Sequence, residues 1–206
     1  MNESVPLLFQ LVVLVFSIIV HEVMHGYVAD QLGDPTARMA GRLSLNPLHH
    51  IDPVGSVMLP LFLVLAHTGI VFGWAKPVPY NPHNLYKDYR FGPLKVALAG
   101  PASNLLLAGL FGVLARALPS QSTLFAFFAV ITYINLVLAV LNLIPVPPLD
   151  GSKIFSVLAP RAFVVLEQSG MAGIIVVFLL LMLFPGILLL PVEALFQILV
   201  GVPFGQ

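Results

Sequence analysis

Residues 5–20 carry only two polar side chains, Gln10 and Ser17, and run without a break into His21-Glu22-Val23-Met24-His25-Gly26. A helix from about Pro6 to Asp30 is long enough to cross a bilayer, with this polar motif in its last third. Two imidazoles four residues apart on a helix share one face, one turn from each other. Neutral imidazole is a good zinc ligand, and a Glu between the pair is placed to take a proton from water that the metal activates. The address of the motif sharpens this. Titratable groups at membrane depth cost about 2.5–3.5 kcal/mol each on insertion scales, so they mark function more often than packing. His21, Glu22 and His25 therefore point to a zinc site built inside a membrane. Without a metal, the same three residues would be a polar interhelical cluster.

Composition carries the membrane reading to the rest of the 206 residues. Hydrophobic residues make up 59% of the chain and charged residues only 9%, against about 25% charged in an ordinary soluble domain; the mean hydropathy is +1.00. No stretch between apolar segments is long enough for a separate soluble domain, so residues 1–206 are expected to form one membrane-embedded unit. Nine basic and nine acidic residues cancel, and no basic patch argues for nucleic acid. Cysteine is absent, which excludes disulfides and thiolate ligands and leaves His and carboxylate to hold any zinc. Residues 5–20 are expected to be a retained span rather than a cleaved signal. They are preceded by Glu3 with no Lys or Arg, and no small-x-small site follows.

After Gly33, Asp34 and Pro35 the helix should stop. The stretch from Arg38 to Asn46, partly alternating and bounded by turn formers, favours a β or extended element. A second apolar stretch, 54–72, is broken by Gly55, Pro60, His67 and Gly69, and a Pro-rich extended segment follows it at 73–80. Stronger spans cover 94–118, 124–143 and 171–190, and 191–204 is too short to cross with certainty of length. The expected fold is an all-α polytopic membrane protein. It is a bundle of about five to six transmembrane or re-entrant segments, with a small β or extended element between the first two helices. If 54–72 dips in and returns, eight of the nine Lys and Arg residues face one side and only Arg116 the other. The positive-inside rule then places the eight in the cytoplasm and the N-terminus outside, with His21 and His25 near the cytoplasmic end of the first helix.

A catalytic zinc takes three protein ligands and keeps a fourth position open. Beyond the motif, the candidates for a third ligand are Glu3, Asp30, Asp34, His49, His50, Asp52, His67, His83, Asp88, Asp150, Glu167 and Glu193. Asp150 stands out by its context, Asn142-Leu143-Ile144-Pro145-Val146-Pro147-Pro148-Leu149-Asp150-Gly151. Its prolines cannot continue a helix, so the span should break at about Ile144 and let the unwound chain carry a carboxylate toward the imidazoles. Gly151 permits a turn or close packing there. The bland alternative is that Asp150 caps a helix beginning near Ser152.

In its His-Glu-x-x-His motif, its Asn-x-x-Pro-x-Pro-Pro-Leu-Asp-Gly run and Gly100-Pro101-Ala102-Ser103-Asn104, the chain resembles the site-2 protease family of intramembrane zinc metalloproteases. The resemblance covers residues 5–165. It implies zinc, one per chain, on His21, His25 and Asp150, Glu22 as the catalytic base, and Asn142 lining the site to help hold substrate or an oxyanion. It implies cleavage of peptide bonds in or near transmembrane segments of protein substrates in the lipid bilayer. No PDZ or CBS-like domain, found in many relatives, is expected here, which leaves substrate choice open. A short chain of this kind suits a multi-pass protein of a prokaryotic plasma membrane; its oligomeric state is not readable. Other readings are a membrane zinc carrier or sensor, or an inactive scaffold. Asn104, beside Gly100 and Pro101, reads as a packing or kink feature. His49, His50, His67 and His83 read as loop or interface residues, and Lys153 as a headgroup contact.

Overall fold

A computed structural model describes residues 5–58, 76–159 and 171–205, together with 61, 62, 65, 161 and 164. The first helix, α1 (Leu7–Gln31), ends where the composition predicted. Gly33 adopts a left-handed φ of 114° and the Asp34 amide returns to the Ala29 carbonyl at 2.9 Å. A one-turn helix, α2 (Thr36–Met39), follows. Two long helices, α3 (Gly92–Arg116) and α4 (Thr123–Leu143), pack against each other and against α1. Among the described residues there follow a short α5 (Ile154–Leu158), then α6 (Met171–Leu183) and α7 (Gly186–Val200). Among the described residues three helices, α1, α3 and α4, are long and apolar enough to cross a membrane; α6 and α7, bent by 69°, add a fourth if counted as one span.

Small residues let these helices approach. Gly100, Asn104, Ala108 and Gly112 recur every fourth position on the buried face of α3. At Gly112 an added Cβ would stand 2.8 Å from the Leu199 Cβ of α7. In lipid, where apolar burial gives little drive, such close backbone packing is what holds helices together. Phe125, Ala129 and Leu136 of α4 meet Val192, Phe196 and Val200 of α7 in the main apolar cluster. Large apolar side chains such as Leu7, Leu8, Leu106 and Phe178 point outward, a surface suited to acyl chains rather than water.

Two expectations change. Among the described residues no strand forms. The 38–46 stretch enters as the end of α2, turns at Gly41 (φ 64°), and runs on as coil. No described segment offers it a ladder, and donors are met locally: Arg42 N–H by the Ala37 carbonyl at 2.9 Å, Asn46 N–H by Ser44 Oγ at 3.1 Å. At the other end, the break falls at Phe184-Pro185 rather than at 190, and Pro191 is absorbed inside α7. Pro185 removes an amide donor and biases Phe184 out of helical geometry, and Gly186 eases the bend. Whether 54–72 crosses or returns lies outside the described residues beyond the helical turn Pro53–Met58, as does His67.

Candidate metal centre

Helix α1 brings His21, Glu22 and His25 to the wall of a cavity of about 250 Å³. The two imidazoles meet edge to face with ring centroids 4.7 Å apart. Asp150 arrives from the other side. Helix α4 stops at Leu143, Ile144 turns extended, and the proline run leads into the tight turn Asp150–Lys153. A Cβ on Gly151 would run into the Leu143 carbonyl oxygen, so only glycine lets this turn fold back on the helix end. Asp150 Oδ2 then lies 3.0 Å from His21 Nε2 and 3.3 Å from His25 Nε2. It does not cap a helix; Leu149 occupies the capping position.

This donor set fits zinc. Atoms each about 2.1 Å from one tetrahedral ion stand about 3.3 to 3.4 Å apart, close to the spacing seen here. His25 Nδ1 lies 2.7 Å from the Val96 carbonyl oxygen, which can only accept, so the neutral ring carries its proton there and turns a bare Nε2 toward Asp150. A lone pair facing a carboxylate calls for a cation between them. Gly100 keeps that space open: a Cβ would sit 2.5 Å from His25 Nε2 and 2.6 Å from His21 Nε2. Glu22 is also within reach, since donor atoms of His21, Glu22 and His25 lie within 4.8 Å of one another. The two carboxylates differ in surroundings. Asp150 spans the imidazoles, whereas Glu22 Oε2 accepts the Val78 amide at 2.9 Å.

Val78 belongs to a strap over the cavity that Arg42 fastens. The Arg42 guanidinium, nearly buried, donates to the His49, Lys76 and Pro77 carbonyls. In the strap the Lys76 amide bonds the His50 carbonyl at 2.9 Å, Pro77 and Pro79 have no N–H, and Val78 serves Glu22. Residues 76–79 can therefore accept hydrogen bonds from an incoming chain but have no amide left to donate. Farther on, Asp34 anchors the loop by accepting from the Asn81 amide (2.5 Å) and Asn84 Nδ2 (3.0 Å), and from Thr36. Burial pushes the Asp34 carboxyl up, but the bonds from Thr36, Asn81 and Asn84 outweigh it and hold it below its ordinary value.

Asn142 lines the cavity, with Nδ2 donating to the Leu138 carbonyl at 3.0 Å. Lys153, expected at the headgroups, is on the cavity wall as well. His50 is buried in the loop with Nε2 against the Ser44 carbonyl, and His83 lies in an exposed turn; neither joins the centre. Asn104, read as packing, reaches His21 Nδ1 at 2.6 Å. The available signal was its polarity within an apolar helix, shared by Asn135 and Ser17.

A helical membrane bundle enclosing a His-Glu-x-x-His site and a facing aspartate defines an integral membrane protein of the metalloprotease kind. The model of peptidase family M50 matches residues 116–185. The protein named "Putative zinc metalloprotease YwhC" of Bacillus subtilis is 39% identical over 161 residues, covering 74% of this chain and 69% of that protein. Two proteins named "Putative zinc metalloprotease Rip2" are also similar. The one from Mycolicibacterium smegmatis is 36% identical, over 66% of this chain and 51% of its own length. The one from Mycobacterium tuberculosis is 34% identical, over 79% and 63%. No solved structure matches. The chain belongs to peptidase family M50, the site-2 proteases, and its His21, Glu22 and His25 form a group able to hold a metal ion.

Proposed function

We propose that this chain is a zinc-dependent endopeptidase that hydrolyses peptide bonds within or near transmembrane segments of membrane proteins. The observation that carries it is the convergence of His21 Nε2, His25 Nε2 and Asp150 Oδ2 on one cavity at membrane-helix depth, with Glu22 beside them. In this reading His21, His25 and Asp150 hold the ion and residues 1–206 act as one membrane-embedded unit.

Zinc in that position supplies Lewis acidity, making water a stronger acid and polarising a carbonyl. Glu22 takes the proton of the attacking water as its oxygen bonds to the scissile carbon. When the carbon–nitrogen bond breaks, Glu22 returns that proton to the leaving amine. The Val78 amide holds one carboxylate oxygen of Glu22 and leaves the other for this exchange. Asn142 has a second amide hydrogen beyond the one given to Leu138 and donates it to the carbonyl oxygen as charge builds there. A helical substrate must unwind to expose its carbonyls, and the strap meets it through acceptors alone. Arg38, Arg42, Lys76, Lys87 and Arg90 cluster past the His25 end of α1, which favours a cytoplasmic opening for the cavity.

The test pairs zinc content with cleavage of single-span reporter helices by detergent-purified protein, with Glu22→Gln as control. About one zinc per chain in both, and turnover lowered about 10²–10⁴-fold in Glu22→Gln, is the expected result. Full turnover by Glu22→Gln would remove it as the base. Zinc flux into liposomes without cleavage would favour a carrier.

A further inference from the structure

Three polar side chains from three helices meet beside His21: Ser17 of α1, Asn104 of α3 and Asn135 of α4, both asparagines at 0% exposure. Asn104 Oδ1 is 2.6 Å from His21 Nδ1. Asn104 Nδ2 donates to Asn135 Oδ1 at 2.9 Å and to the Ser17 carbonyl at 3.3 Å. Asn135 Nδ2 donates to Ser17 Oγ at 3.0 Å and to the Ile131 carbonyl at 2.9 Å.

The direction of every bond follows from two groups that can only accept. The Ile131 carbonyl requires an amine from Asn135, which turns Asn135 Oδ1 toward Asn104. That oxygen and the Ser17 carbonyl both require the Asn104 amine, which turns Asn104 Oδ1 toward His21. His21 must then donate from Nδ1, and its neutral ring presents a bare Nε2 to Asp150. Flipping either amide would set oxygen against oxygen in a buried site, where an unmet polar group costs about 1–3 kcal/mol. His25 reaches the same proton pattern through one direct contact, the Val96 carbonyl.

We propose that Asn104, oriented by Asn135 and Ser17, is a positioning residue that sets the His21 tautomer and so prepares Nε2 for the metal. This rests on His21 being a zinc ligand. A lock between helices needs no such ordered direction and has no reason to end on a ligand; groups behind metal-bound imidazoles commonly act in this way.

The experiment uses full-length protein with ¹⁵N-labelled histidine, reading tautomers by NMR after zinc removal and zinc affinity by chelator competition. In the parent, His21 and His25 should both carry the proton on Nδ1. Asn104→Leu should move His21 toward the Nε2–H form, leave His25 unchanged, and weaken zinc binding about 10–100-fold. Asn104→Asp, which keeps the acceptor, should retain the parent tautomer and most of the affinity. Asn135→Leu, which frees the Asn104 amide to turn, should fall between them. An unchanged His21 tautomer in Asn104→Leu overturns the proposal, as does equal loss of affinity in the Leu and Asp variants. A parent that binds no zinc would defeat the ligand reading, while the tautomers would still decide the role of Asn104.

Discussion

Gly100 contributes by what it lacks. Its α-carbon faces the two Nε2 atoms so closely that one methyl group would occupy the space between them. Gly100→Ala should therefore leave helix content near the parent's, since alanine favours helix by up to about 1 kcal/mol. It should nonetheless lower zinc affinity at least about tenfold, the scale on which disturbed imidazole orientation acts. Circular dichroism beside chelator competition checks both halves. Equal affinity would mean that the imidazoles turn aside freely, and the cavity would then be softer than its packing indicates. The same scale separates the two carboxylates. Asp150 and Glu22 have similar chemistry, but one lies across two imidazoles and the other is tied to a backbone amide.

The loop elements between α1 and α3 depend on polar anchors rather than on a ladder. Arg42 fastens three carbonyls and Asp34 gathers donors from the distant turn at Asn81–Asn84. Because the folded Asp34 carboxyl lies below its ordinary value, its contribution is fully present above the unfolded value of about 3.9 and is lost as pH falls through the folded one. Hydrogen exchange of the Asn81 amide should thus stay flat from pH 7 to about pH 5, after correction for intrinsic rates, and rise below about pH 4. Asp34→Ala should lose about 1–3 kcal/mol of that protection at neutral pH and flatten the acid step. An acid step that persists in Asp34→Ala would assign it to another carboxylate.

At the scale of the molecule, the centre joins segments that lie far apart in the sequence. His21 and His25 stand on α1, while Asp150 follows α4, 125 or more residues later. A metal bound to both ends favours the folded state by mass action, about 2.7 kcal/mol at a free concentration one hundred times Kd. Adding zinc to metal-stripped protein should raise its melting temperature, a chelator should reverse this, and Asp150→Ala should abolish most of the difference. Thermal melts in detergent with and without zinc make the comparison. An undiminished zinc effect in Asp150→Ala would shift the third ligand to Glu22, which the short donor distances in the motif also allow.

Local pattern determined a large part of this protein. Hydropathy and length mark α1, α3 and α4, glycine and proline mark the ends of α1 and α4, and the four-residue spacing puts both imidazoles on one face. These are properties of consecutive residues, so they can be read in order. The proline run also singled out Asp150, because a broken helix followed by a carboxylate needs a reason. Folding in three dimensions decided the rest. Asn104 meets His21 across 83 residues and Val78 meets Glu22 across 56, separations with no period to betray them. A lone Asn in an apolar helix signals that it has a partner without naming it. The strap, expected only as an extended segment, proved to offer acceptors alone, and the β element became a turn, because hydrogen bonding depends on what lies alongside. Only the docking of α1, α3 and α4 brings those neighbours into reach.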